Sequence, residues 1–170
     1  MGLVIFGIDP GFAIVGWGAV RYERARFAPL AYGAVTTPAG MDFSGRLARI
    51  YDELALLFVK YKPDAVSIEK LFFQSNQKTV IEVSEARGVI LLAAKKAGLE
   101  VYEYTPLQVK SCVTGYGMAE KPQVMEMTRR LLGLEKVPRP DDAADALALA
   151  ITHGQTGAAR TRRKLKIENG

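Results

Sequence analysis

A chain of 170 residues with 49% apolar and 24% charged side chains can bury one core of ordinary size, so folding needs no disulfide framework and no structural metal. Cys112 is the sole cysteine, which excludes an internal bridge and points to a reducing compartment. The net charge of +5 is concentrated in the last sixteen residues, where Arg160, Arg162, Arg163, Lys164 and Lys166 face only Glu168. We therefore expect a single domain over 1–154 and a mobile basic tail over 155–170 that suits a polyanion such as nucleic acid. No leader is read at the start, and no apolar run reaches the roughly 18 residues of a membrane span. A cytoplasmic protein without membrane contact is expected.

The first element is the apolar run Leu3 to Ile8, which reads as a strand covered on both faces and ends in Asp9. Pro10 cannot donate to a sheet ladder and Gly11 tolerates a turn, so Asp9 should stand at the sheet rim. It is there either to start the turn or to act as a ligand. Two further strands, Ala13 to Val20 and Phe27 to Thr37, follow on short connections and imply an antiparallel meander. The glycines flanking Trp17 weaken the second strand unless something packs closely against it.

From Asp42 to Tyr61 the apolar residues fall at steps of three and four, the pattern of an amphipathic helix that Pro63 ends. Asp64 to Glu69 is a short strand, again closing on a carboxylate, and the helical crossover before it makes it a parallel neighbour of the first. A helix over Gln77 to Ala97, a strand over Leu99 to Tyr104, a short helix after Pro106 and another over Lys121 to Leu132 come next. The last helix runs from Asp141 to His153. This order predicts an α/β fold with a five-stranded mixed sheet, three antiparallel strands first and parallel ones after, flanked by helices.

Asp9 and Glu69 end neighbouring parallel strands, which places them about 5 Å apart in strand spacing. The last helix is alanine-rich and apolar after its first turn, so it should lie buried against the sheet with its acids at one end. Helix capping accounts for Asp141 but poorly for Asp145, whose desolvation is unfavourable, and Asp142 and Asp145 share a face at i, i+3. Four such acids would repel one another without a cation. Two divalent ions would balance Asp9, Glu69, Asp142 and Asp145, and oxygen-only ligands select Mg²⁺ or Mn²⁺ over zinc. Such a pair serves in-line phosphoryl displacement, so the substrate class is a phosphodiester.

The segments Gly7-Ile8-Asp9-Pro10-Gly11, Ile68-Glu69, Glu85-Ala86-Arg87-Gly88, Ala119-Glu120-Lys121 and Asp142-Ala143-Ala144-Asp145-Ala146-Leu147-Ala148, in this order, resemble the RuvC family of Holliday junction resolvases in the ribonuclease H-like superfamily. The resemblance implies that Asp9, Glu69, Asp142 and Asp145 bind metal. It also implies that Phe72 faces the junction and that Lys110 and Lys121 are functional. It further implies a bacterial homodimer that nicks a four-way DNA junction in two strands of like polarity, beside a branch-migration motor (RuvA–RuvB). Phe12 and Asp141 depart from the usual pattern. The three-residue spacing to Asp145 favours Asp142 over Asp141 as ligand.

Leu71-Phe72-Phe73 follows Glu69 directly. At least one of Phe72 and Phe73 is read as a DNA-stacking residue, the alternative being a pair that caps the core. Lys110 and Lys121 are read as phosphate contacts, the alternative being solvated surface lysines. His153 and Cys112 are read as structural. Leu91 and Leu92 beside Val89 and Ile90 make the Gln77 to Ala97 helix too apolar for one buried stripe, which marks it as a dimer surface. Two other functions compete with a junction endonuclease. One is a junction-binding module with weak catalysis, and the other is an actin-like ATPase, for which the chain is too short to build two lobes.

Overall fold

The computed structural model describes residues 2–70 and 77–168. In chain order the elements are β1 (Leu3–Asp9), β2 (Ile14–Glu23), β3 (Arg26–Thr36), α1 (Phe43–Tyr61), β4 (Ala65–Glu69), α2 (Gln77–Lys96), β5 (Val101–Tyr104), α3 (Pro106–Thr114), α4 (Lys121–Leu131), α5 (Asp141–Thr156) and α6 (Ala158–Glu168). The sheet order is β3-β2-β1-β4-β5. β1 pairs antiparallel with β2 and parallel with β4, as the short and the helical connections require. β4 in turn pairs parallel with β5.

The alternation of side chains along β1 divides the core in two. Phe6 and Ile8 point into a layer closed by Ile50, Leu54 and Phe58 of α1 and by Ala86 and Ile90 of α2. Leu3 and Ile5 point the other way, into a layer with Leu147 and Ile151 of α5 and Val109 and Val113 of α3. β2 obeys the same alternation: Trp17 stacks on Phe6 at 5.7 Å between ring centroids, while Gly16 and Gly18 face α5. A Cβ on Gly7 would stand 1.8 Å from the Ala146 carbonyl oxygen, and one on Gly16 would stand 2.0 Å from that of Asp142. The glycines of β1 and β2 therefore let the alanine-rich helix lie almost on the sheet, which is the close packing that the pair around Trp17 called for.

Local signals set the helix ends. Asp42 accepts from the Gly45 amide at 2.9 Å and caps α1, and Lys62 closes it in the left-handed region before Pro63. Gly98, at φ 73°, turns the chain out of α2.

Residues 155–156 and 158–168 of the expected mobile tail over 155–170 are helical in the structure. α5 runs on to Thr156 and α6 follows it, with Ala158 and Thr161 buried. His153 Nε2 lies 2.8 Å from Thr161 Oγ1, the Arg160 guanidinium lies over the Tyr102 ring at 5.5 Å, and Lys164 pairs with Glu100. These contacts hold the basic segment against β5 and α5. Among the described residues no helix is long and apolar enough to cross a membrane.

Candidate active site

β1 and β4 are in register from Ile5↔Ala65 to Ile8↔Ile68, so the next residue on each strand, Asp9 and Glu69, ends the pair at the same sheet edge. Both carboxylates share the α5 side of the sheet. Gly7, two residues before Asp9, abuts Ala146 of α5, and Ser67, two before Glu69, donates from Oγ to the Leu149 carbonyl at 2.7 Å. The start of α5 completes the arrangement, because the Asp142 carbonyl stands over Gly16, which pairs directly with Asp9.

A cleft of about 180 Å³ opens at this edge. Asp9, Glu69, Asp145, Lys110 and Lys121 line it, over apolar walls from Pro106, Val109, Val124, Ala148 and Leu149. Lys121 Nζ lies 3.0 Å from Asp145 Oδ2 and 3.8 Å from Asp141 Oδ2. Asp141 also pairs with Arg139, which turns it towards the loop before α5.

The electrostatics identify a crowded acid cluster. Burial, then the charges of Asp145, Glu69 and Asp142, push the Asp9 carboxyl up to about 8, and Lys121 offsets only part of this. Burial and Asp145 likewise raise Glu69. Asp145 is raised by burial against the opposing hydrogen bond from Lys121. Burial works against the charged form of Lys121, yet its hydrogen bond to Asp145 and the surrounding acids leave its ammonium held above its ordinary value. The charge of Asp142 acts on Asp9, and the Asp142 carbonyl stands over Gly16, the register partner of Asp9.

As the side chains stand among the described residues, no three acidic, His or Cys groups are close enough to hold a metal ion, and Lys121 is the cation nearest Asp145. The donor set nonetheless fits a hard divalent ion, being all carboxylate oxygen with more negative charge than one ammonium can neutralise.

Of the residues singled out in the sequence, Asp9, Glu69, Asp142, Asp145, Lys110 and Lys121 come together at this edge. Phe72 and Phe73 lie outside the described residues. The apolar walls had not been foreseen. Their signal was Pro106, which opens α3 straight after β5 and so brings Val109 beside Glu69, the register partner of Tyr104.

The family sequence model described as "Crossover junction endodeoxyribonuclease RuvC" matches residues 5–153, a span that includes all four acids and both lysines. The chain belongs to the RuvC family. A RuvC from Ruminiclostridium cellulolyticum, named crossover junction endodeoxyribonuclease, is 55% identical over 154 residues, covering 91% of this chain and 93% of that protein. The structure of Thermus thermophilus RuvC superposes with a TM-score of 0.86 at 37% identity, covering 93% of this chain and 97% of that one. T. thermophilus RuvC in complex with Holliday junction substrate gives 0.85 at 35% identity with the same coverage. The five-stranded mixed sheet with its flanking helices is thus the RuvC fold.

Proposed function

We propose that this RuvC-family chain is an endonuclease that resolves four-way DNA junctions by paired, symmetric nicks, using divalent metal held by Asp9, Glu69, Asp142 and Asp145. The observation that carries the metal site is the Asp9 carboxyl, driven to about 8 by burial and three neighbouring acids at a strand edge open to a cleft. A fold maintains such an uncompensated cluster only where it has a use for it, because the repulsion is unfavourable otherwise. Bound Mg²⁺ or Mn²⁺, two per site, would supply an activated water and charge neutralisation at the leaving oxygen.

The chain's own residues do the rest. Asp9 and Glu69 form the fixed side, because each terminates a buried strand. Asp142 and Asp145 form the opposite side, on a helix locked to the sheet through glycine contacts. Lys121 and Lys110 stand at the cleft wall where the charge of a scissile phosphate develops, and an ammonium there stabilises it. The apolar walls keep water away from part of the cleft and strengthen these interactions.

The rival reading of a junction-binding module with weak catalysis rested on the extra acid Asp141. Asp141 pairs with Arg139, which offsets part of its charge, although it still lies 3.8 Å from Lys121 and adds to the repulsion on Asp145. A homodimer belongs to the same proposal. Ile81 and Leu92, 59% and 51% exposed, lie about three turns apart on one side of α2 and supply an apolar stripe for a second copy. DNA contact by Phe72 and work beside a RuvA–RuvB motor rest on the family resemblance, contact by Phe73 rests on its place beside Phe72 directly after Glu69, and a cytoplasmic setting rests on the sole cysteine and the sequence pattern.

The test is incubation with a four-way junction and Mg²⁺ or Mn²⁺, beside a linear duplex of the same sequence. Paired nicks at symmetric positions in the junction alone are expected. Equal cleavage of the duplex, or none of either, would overturn the proposal.

A further inference from the structure

The loop between α3 and α4 lies in sequence between Lys110 and Lys121, the two lysines of the cleft, and carries exposed apolar side chains. Met118 is 74% exposed, Tyr116 61% and Leu107, beneath the loop, 59%. Its backbone is nevertheless tied down on both sides. Gly115, at φ 78°, closes α3 with its amide donating to the Ser111 carbonyl at 2.9 Å. The Thr114 hydroxyl, with its single hydrogen, lies 2.7 Å from the Lys110 carbonyl oxygen and 3.0 Å from that of Tyr116, and it accepts from the Tyr116 amide at 3.1 Å. The Ala119 amide then donates to the Tyr116 carbonyl at 3.1 Å, and Ala119 itself is buried. Gly117 sits so close over α3 that a Cβ would stand 2.7 Å from Leu107 Cδ1 and 2.9 Å from Ser111 Oγ.

A fixed backbone that turns an aromatic ring and a thioether outward is pre-organised for a partner. Two features select the occupant. The loop is bracketed by the two lysines that line the acid cleft, and it is continuous with α3, whose Pro106, Val109 and Lys110 form the cleft wall. Exposed aromatic rings together with cationic side chains hold single-stranded or unpaired nucleotides, with stacking on the ring and the phosphates on the cations, and the chain sets Tyr116 between the two cleft lysines in sequence. We infer that Tyr116 and Met118 form a lip that grips the nucleotides next to the scissile phosphate, Tyr116 by stacking and Met118 by apolar contact with the adjoining sugar or base. This rests on the proposed nuclease function of the cleft. It adds a strand-holding surface distinct from the acids and lysines themselves.

Tyr116→Ala, Tyr116→Phe and Met118→Ala variants of the full chain test it in two ways. In steady-state junction cleavage, Tyr116→Ala should raise KM about tenfold, the scale of a lost stacking contact, with kcat changed less than about twofold. Tyr116→Phe, which keeps the ring, should restore the wild-type KM, and Met118→Ala should raise KM to a smaller extent. In a metal-free buffer with EDTA, a junction carrying 2-aminopurine beside the cleavage point should change fluorescence on binding wild type and Tyr116→Phe but not Tyr116→Ala. Unchanged KM together with an unchanged fluorescence response in Tyr116→Ala would overturn the lip. So would equal defects in the Ala and Phe variants, which mark a structural or hydroxyl role. A wild-type protein that cuts no junction would sink the nuclease reading, while the fluorescence response would still report whether Tyr116 touches the nucleotide. An outward lip that leaves DNA binding untouched but is needed to retain another protein would also contradict the inference.

Discussion

Lys121 Nζ lies 3.0 Å from Asp145 Oδ2, so the first residue of α4 is tied to the helix that forms one wall of the acid cluster. The ammonium lowers the proton affinity of Asp9, Glu69 and Asp145 alike. Lys121→Met should therefore leave all three carboxyls harder to ionise. The acidic limb of the cleavage pH profile should move to higher pH, with the plateau rate reduced at least about tenfold, the scale of a lost charge-stabilising donor. Single-turnover cleavage across pH reads both effects. A profile that keeps its position would show that the lysine does not bear on the acids.

The raised Asp9 also predicts how stability follows pH in metal-free protein. Its folded carboxyl titrates at about 8 against 3.8 for an ordinary Asp, so the folded state holds a proton that the unfolded state has released, and stability falls as pH rises through that interval. Burial holds His153 down to about 4 from 6.5, which works in the opposite direction and raises stability as pH climbs from about 4 to 6.5. The two oppose each other below 6.5; above it His153 no longer offsets Asp9, and the raised Glu69 and Asp145 act in the same direction as Asp9. Chemical denaturation should show a loss between about 6.5 and 8, to which Asp9 adds at most about 1.4 kcal/mol per pH unit. Asp9→Asn should reduce it, and excess Mg²⁺ should do likewise by taking the place of the proton.

Contact between the sheet and α5 depends on absent side chains. Gly7→Ala places a Cβ against the Ala146 backbone, which cannot yield as a flexible side chain would. We expect a loss of about 1–3 kcal/mol in unfolding free energy, with a fall in cleavage as α5 and its acids are lifted from the strand edge. Unchanged stability, measured by denaturant titration, would contradict the packing described.

Leu92→Glu and Ile81→Glu put a charge in the exposed stripe of α2. Sedimentation should show a dimer for the wild-type chain and a monomer for either variant. Junctions cut by the monomer should carry single nicks in place of paired ones.

How much of this was legible in the sequence depended on whether the signal was local. Asp9 and Glu69 could be paired because each follows an apolar run and precedes a break, and the crossover rule made their strands parallel neighbours. The burial of α5 followed from alanines on every side after Ala143, while the glycines around Trp17 called for close packing without naming α5 as the element that supplies it. The basic segment after Gln155 was misread because α6 offers only Ala158, Thr161 and Leu165 as an inward row. Its anchors are His153, Tyr102 and Glu100, contacts that no local pattern announces. β2 also runs on from Val20 to Glu23, since Arg21-Tyr22-Glu23 continues the strand alternation through charged residues. Lys110 and Lys121 carried no signal of their own among many lysines, and only the family pattern drew attention to them. Tyr116 and Met118 fall between two expected helices and carry no pattern of their own.

The most direct test compares Asp9→Asn with the wild-type chain on one four-way junction, measuring binding by gel retardation and cleavage in Mg²⁺. Asparagine removes the ligand charge at the centre of the cluster but leaves the lysines and the Tyr116 loop in place. Cleavage should be abolished while binding stays within about twofold of wild type. Cleavage that persists, or binding lost in step with it, would contradict a metal-dependent acid site standing apart from the surface that holds the DNA.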